Sequence, residues 1–232
     1  MPSTENHLIE LLSHKDKLSV LKLCEPVQLV MSEVLCKSGQ ATRHVYFPTD
    51  GFISLVAPVD GKASLEVGMV GSEGMLGEQL ALGVLTTPLH AVVQGPGVAW
   101  RIDATVFRAE LARNAALQRI MDRYIYVLMS QLCGAAGCLR FHLIGQRLAR
   151  WLLMSQDRAH SDTFHVTHEF LAYLLGVRRV SVTTAAGAMQ RKGLIEYRHG
   201  ELTVINRSGL EACACGCYGA DRTAYANILS VQ

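Results

Sequence analysis

Between Val166 and Gly187 the order of small, apolar and turn-forming residues permits few local structures. Thr167 is suited to cap a helix, Leu171 and Leu175 give that helix an inner face, and Gly176 interrupts the pattern one residue later. Glycine can take the left-handed conformation that ends a helix and redirects the chain. Val177, Val182 and Ala185 resume the apolar face beyond it. Ala172 is small where two helices at this spacing touch, and a larger side chain there would push them apart. Positions 168–187 therefore fit a helix-turn-helix, with the second helix running from about Arg178 to Lys192.

Past that helix, residues 193–197 and 201–205 read as two strands around the turn Arg198-His199-Gly200, a wing. Charge points the same way. Residues 140–200 carry nine Lys/Arg against four Asp/Glu, net +5, whereas residues 1–139 carry 11 against 13 and residues 201–232 two against three. A basic helix-turn-helix block implies a polyanion partner, double-stranded DNA. Arg178, Arg179, Val180, Ser181, Thr183 and Thr184 occupy the first turns of the second helix, the part that enters a major groove. Arg179 suits a bidentate contact to guanine, Ser181 a phosphate, and Val180 or Thr184 a thymine methyl. Arg178 stays open between base and phosphate. Arg191 and Lys192, at the helix end, suit general phosphate contact. Arg198 at the wing tip reaches a phosphate or the minor groove, or is simply solvated.

The first half is built differently. From about Cys24 to Ile102, β-rich runs such as 45–47, 52–56, 91–93 and 98–102 alternate with turn signals at 38–39, 49–51, 60–61, 71–74, 83 and 95–97. That rhythm predicts an all-β barrel or jelly roll. After Asp103, suited to cap a short helix over 104–111, long helical periodicity begins. Met121, Ile125, Leu128, Leu132, Ala135 and Leu139 are spaced as a coiled-coil seam, and positions 124–139 carry no charge. Self-association is the favoured reading; a helix packed on its own domain has the same spacing. A further helix is expected over 143–158, with Leu148, Trp151, Leu152 and Met154 inward.

Half of the 232 residues are apolar and 18% are charged, which excludes a mainly disordered chain and suits two domains. The longest uncharged run, 124–139, is too short to span a bilayer, so no membrane partner is expected. Seven cysteines without framework spacing and an opening without signal-peptide character imply a reducing cytoplasm. Cys213, Cys215 and Cys217 lack the usual two-residue gap of a zinc knuckle and have no second ligand pair nearby in sequence. No metal is therefore expected. Packing of a C-terminal helix is the plainer role for these three, metal or redox chemistry the alternative. Phosphate loops, nucleophile elbows and His-Glu-x-x-His motifs are absent, so catalysis is not expected.

The order of parts, together with Gln146-Arg147-Leu148-Ala149-Arg150-Trp151-Leu152-Leu153, Leu175-Gly176-Val177-Arg178-Arg179-Val180-Ser181-Val182-Thr183 and the tail Cys215-Gly216-Cys217-Tyr218, resembles the Crp/Fnr superfamily of bacterial transcription regulators over nearly the whole chain. The resemblance implies an α+β architecture. A cyclic-nucleotide-binding-type β-roll with an N-terminal helical segment would span 1–111, a long dimerisation helix 112–140, and a winged helix-turn-helix 141–232. It also implies a homodimer on a palindromic operator, with RNA polymerase as a further partner open to such a regulator. An effector pocket is implied at Gly77, Glu78, Leu82, Leu89 and His90. The family's phosphate-binding Arg is missing, because Leu89-His90-Ala91 stands where Arg-Ser/Thr-Ala would. His90 substitutes only if protonated. Binding of cyclic AMP in the usual way is therefore not expected, nor is an iron-sulphur cluster, since Cys24 and Cys36 do not form the N-terminal cluster of oxygen-sensing relatives. The effector is unknown, and DNA binding by default requires no cofactor. The recognition helix carries Val180 where well-known members carry a Glu, which implies a different operator.

Overall fold

The computed structural model describes residues 5–59 and 62–229; the turn expected at Asp60-Gly61 and the chain ends lie outside them. Two short helices, α1 (His7–Glu10) and α2 (His14–Leu21), begin the chain. The β-roll follows: β1 (Glu25–Leu29), β2 (Val34–Cys36), β3 (His44–Val59), β4 (Lys62–Val70), a 3-10 turn over Glu78–Leu82, and β5 (His90–Asp103). The strands are antiparallel in the order β1-β5-β3-β4, with β2 also on β5.

Two of the expected turns are not turns. Thr49-Asp50-Gly51 and Gly95-Pro96-Gly97 lie inside β3 and β5, which pair continuously from His44↔Asp103 to Val56↔His90 with register shifts between Pro48 and Ile53. The glycines mark a bulged corner where the two backbones approach closely. Gly51 has φ +74°, and a Cβ there would sit 2.3 Å from the Gly95 carbonyl oxygen.

Asp103 ends β5 and caps α3 (Ala104–Arg113), its Oδ1 accepting from the Thr105 and Val106 amides at 2.8 and 3.2 Å. Asn114 then caps α4 (Ala115–Phe141) through the Leu117 amide. The helix expected at 112–140 thus begins three residues later, because α3 runs to Arg113. His142 and Leu143 join α4 to α5 (Ile144–Ala159). The rest is β6 (Thr163–His165), α6 (His168–Leu175), α7 (Arg179–Arg191), β7 (Ile195–Arg198), β8 (Glu201–Val204), α8 (Arg207–Cys213) and α9 (Cys217–Leu229). β6 extends the wing to three strands, β6-β8-β7, with the Thr163 and Thr203 hydroxyls 2.9 Å apart across the ladder. Among the described residues no helix is long and apolar enough to cross a membrane.

Three apolar cores hold this together. One fills the roll around Ile53, Val70 and Val93. A second packs α1, α2, α3 and the first half of α4 on the roll, through Leu8, Ile9, Phe47, Phe107, Leu117 and Met121. The third is the core of the C-terminal domain, Leu148, Leu152, Leu171, Val182, Met189 and Leu202, and it continues into Phe52, Val56 and Met69 of the roll.

Candidate nucleic-acid interface and effector pocket

The helix-turn-helix forms for local reasons. The Thr167 hydroxyl accepts from the Phe170 amide at 3.1 Å and starts α6. Gly176 ends it at φ +64°, with its amide donating to the Tyr173 carbonyl and that of Val177 to the Ala172 carbonyl. Leu171, Ala172, Leu175, Val182 and Ala185 are buried, Ala172 at the helix contact. α7 begins at Arg179 with Arg178 as its N-cap.

Arg178, Arg179, Val180, Thr183, Thr184, Arg191 and Lys192 are exposed, Val180 at 65%. None of the four cations among them forms an ion pair within the described residues, whereas Arg101, Arg113, Arg150, Arg158 and Arg207 all do. Ser181 is half-buried and, with Val180, Thr184 and Lys192, lines a groove between α7 and the start of α5. The Thr183 hydroxyl donates to the Arg179 carbonyl at 3.1 Å and lies 3.1 Å from His168 Nδ1. The His168 ring stacks on Tyr197, centroids 4.4 Å apart, which braces α7 against the wing. Burial and the Arg179 charge hold the His168 imidazole below the ordinary histidine range. His168 was not singled out by the sequence pattern; its partners lie 15 and 29 positions away. The wing turns through His199 (φ +51°) and Gly200 (φ +86°), and Arg198 pairs with Glu196 at 2.7 Å on the exposed surface.

In the roll, the expected effector residues do not all converge. Gly77 (φ +99°), Glu78 and Leu89 line one small cavity with Thr42, Arg43 and Gln79. Its free volume is about 10 Å³, room for no more than one water. Burial pushes the Glu78 carboxyl above the usual range, although its Oε2 accepts from the Gly77 amide at 3.1 Å. Leu82 is 61% exposed and outside the cavity. His90 faces away, its Nδ1 accepting from the Ser38 amide at 3.2 Å. The structure thus places Leu82 and His90 outside this cavity, His90 being the first residue of β5 and turned to the Ser38 amide. It adds Arg43, a cation 46 positions before Leu89 that no local spacing relates to the site.

Along α4 the six residues read as a seam divide. Met121 is fully buried and Leu128 packs on the same core as α1–α3. Ala135 lines a cavity beside α5. Ile125 is half-buried, and Leu132 and Leu139 are exposed with Tyr126 and Met129. The seam spacing belongs to the intramolecular face as well, and the outward apolar stripe is rotated to Ile125, Met129, Leu132, Ala136 and Leu139.

The cysteine tail also differs from its reading. Cys215 and Cys217 lie with Cys138 and His142, all four donor atoms within 4.8 Å of one another, while Cys213 packs against the C-terminal core outside this group. Cys138 and His142 stand 75 to 77 positions earlier, at the end of α4 and just after it. Burial pushes the Cys138 thiol up to about 12.

A β-roll, joined by a long helix to a winged helix-turn-helix whose exposed cations form no ion pairs among the described residues, defines a two-domain transcription regulator. Residues 26–114 match the cyclic nucleotide-binding domain, and residues 146–213 the Crp-like helix-turn-helix domain, together more than half of the chain. The chain belongs to the Crp/Fnr family, whose members are regulators and not enzymes. The fold is shared with a putative regulator of that family from Eubacterium rectale (TM-score 0.69, 14% identity, 89% of this chain and 96% of that one). It is also shared with a CRP-family regulator of Thermus thermophilus (0.66, 19%, 81% and 96%). A third structure is the c-di-GMP responsive global regulator CLP of Xanthomonas campestris (0.66, 17%, 83% and 99%). No curated protein is significantly similar in sequence.

Proposed function

We propose that the chain acts as a cytoplasmic homodimer that reads a palindromic operator with α7 and answers to an effector other than cyclic AMP bound in the usual way. The observation that carries the DNA assignment is the run of unpaired cations on the exposed side of α7. Among the described residues Arg178, Arg179, Arg191 and Lys192 have no carboxylate partner, which keeps them available for phosphates and base edges. Arg179 is assigned the guanine contact. Thr183, held by His168, keeps the first turns of α7 in place for it. Arg178, Ser181, Arg191, Lys192 and Arg198 bind backbone, and Val180 and Thr184 offer methyl groups. The outward apolar stripe of α4 gives a second copy its surface, and two α7 helices then meet half-sites about one helical turn apart, roughly 34 Å.

In fluorescence anisotropy with the selected operator, Arg179→Ala is expected to cost about 1–3 kcal/mol and to relax preference at one base pair of each half-site. Unchanged affinity and preference would remove Arg179 from the readers. For the roll, the cavity beside Glu78 has about 10 Å³ of free volume and its lining arginine, Arg43, is exposed, which supports a pocket that does not hold a desolvated cyclic phosphate. Isothermal calorimetry with cyclic AMP and cyclic GMP is expected to show no saturable heat. Micromolar binding lost in Arg43→Ala would overturn this reading and make Arg43 the phosphate ligand.

A further inference from the structure

We infer that Cys138, His142, Cys215 and Cys217 form a mononuclear Cys3His site for a divalent metal ion of the zinc type. Cys138 lies in the last turn of α4 and His142 is the residue that follows the helix, its amide donating to the Cys138 carbonyl at 3.1 Å, which holds the two together at the helix end. Cys215 and Cys217 come from the α8–α9 connection and the first residue of α9. Cys138 Sγ lies 3.5 Å from Cys215 Sγ, and Cys217 Sγ lies 3.6 Å from His142 Nδ1. Tetrahedral zinc with Zn–S near 2.3 Å and Zn–N near 2.0–2.1 Å requires ligand separations of about 3.8 Å for S···S and about 3.6 Å for S···N. Two of the six donor–donor distances are already close to those edges, and the other four lie within 4.8 Å. With every pair of donor atoms inside 4.8 Å, they fit around one ion and not around a polynuclear cluster.

The donor set selects the metal. Three sulphurs and one imidazole, with no oxygen ligand, favour zinc over calcium, magnesium or manganese. Asp221, which lines the small cavity beside Cys138, is taken by Arg150 at 2.6 Å. Three thiolates and a divalent ion leave one net negative charge. Arg147 and Arg150 line the same small cavity as Cys138, and the buried Arg150 Nε has no hydrogen-bond partner among the described residues. A metal-bound thiolate supplies both the charge and an acceptor for such a group.

The position gives the site its consequence. His142 is one of the two residues between α4 and α5, with extended φ/ψ (−104°, 143°). An ion there ties this joint to the start of α9, so occupancy restrains the link between the roll's helix and the winged domain.

The test uses the full-length protein, purified under reductant and titrated with Co²⁺. One ion per chain is expected, with the visible bands of tetrahedral cobalt and a near-ultraviolet thiolate charge-transfer band, both abolished when Zn²⁺ displaces it. His142→Ala and Cys217→Ser, at half-buried positions, are expected to weaken binding about tenfold or more, while Cys213→Ser leaves it unchanged. Far-ultraviolet circular dichroism of each variant establishes that it is folded. Absence of the tetrahedral spectrum in the wild type would overturn the site. So would wild-type binding by folded His142→Ala and Cys217→Ser, or a Cys138–Cys215 disulfide in the metal-free protein isolated under reductant.

Discussion

Glu66 shows what a single side chain does at the junction of the two domains. It projects from β4, accepts from the Ser54 hydroxyl at 2.5 Å, and accepts from the Trp151 indole N–H of α5 at 2.8 Å. Burial pushes its carboxyl up to about 7, outweighing those two hydrogen bonds and the Arg158 and Arg150 charges that pull it down. Below the ordinary glutamate range both folded and unfolded chains hold the proton. Between about 4.5 and 7 the unfolded chain releases it first, so stability falls as pH rises through that window, by at most about 3 kcal/mol. Urea unfolding at pH 5 and pH 8 should show this loss in the wild type and a flatter response in Glu66→Gln, whose carbonyl oxygen can accept from the Trp151 indole while its NH2 donates to the Ser54 hydroxyl oxygen. Equal pH slopes would mean that Glu66 titrates normally. At this scale the sequence is readable where the cause is local: Thr167, Asp103 and Gly176 each act on amides or carbonyls within a few positions. Glu66 and Trp151 are 85 residues apart, and nothing in either neighbourhood announces the pair.

Elements were legible in type and less so in extent. A glycine pair inside a β-rich run signals a turn or a bulge equally well, and only the continuous β3–β5 ladder distinguishes them at Gly51 and Gly95. α4 poses the same problem in helical form, because a 3-4 spacing of apolar residues marks any buried stripe. Apolar residues ring this helix, so the spacing through Met121 and Leu128 describes the face on the roll as well as the face toward solvent. The two faces separate by experiment. Met129→Glu and Leu132→Glu place a charge on the exposed stripe, and sedimentation velocity should show a shift to monomer with circular dichroism unchanged. Met121→Ala instead should cost about 2–5 kcal/mol in unfolding free energy and leave the association state alone. A dimer that survives both glutamate variants would place the pairing surface elsewhere.

At the scale of the molecule, the C-terminal core runs into Phe52, Val56 and Met69 of the roll, and Arg158 pairs with Glu73 across the same junction at 2.7 Å. The charge division found in the sequence has a spatial meaning here. The roll and its helices hold some of their cations in pairs, Lys17 with Glu10, Arg101 with Glu25 and Arg113 with Glu110, whereas α7 leaves its own free of ion pairs among the described residues. The positive block was visible from composition; which of its arginines are neutralised internally was not, since Arg150 and Arg158 answer to Asp221 and Glu73, far along the chain. That distinction sets the salt dependence of DNA binding. Only unpaired cations release counterions on meeting phosphate, each contributing about −0.9 to the slope of log K against log salt. Arg191→Ala with Lys192→Ala removes two cations per chain and four per dimer, so the slope should flatten by about 3 to 4 while base preference stays as in the wild type. Arg150→Ala, by contrast, removes a cation already held by Asp221 and should leave the slope unchanged. If the double variant weakens binding without altering the slope, Arg191 and Lys192 act by shaping the end of α7 and not by touching phosphate.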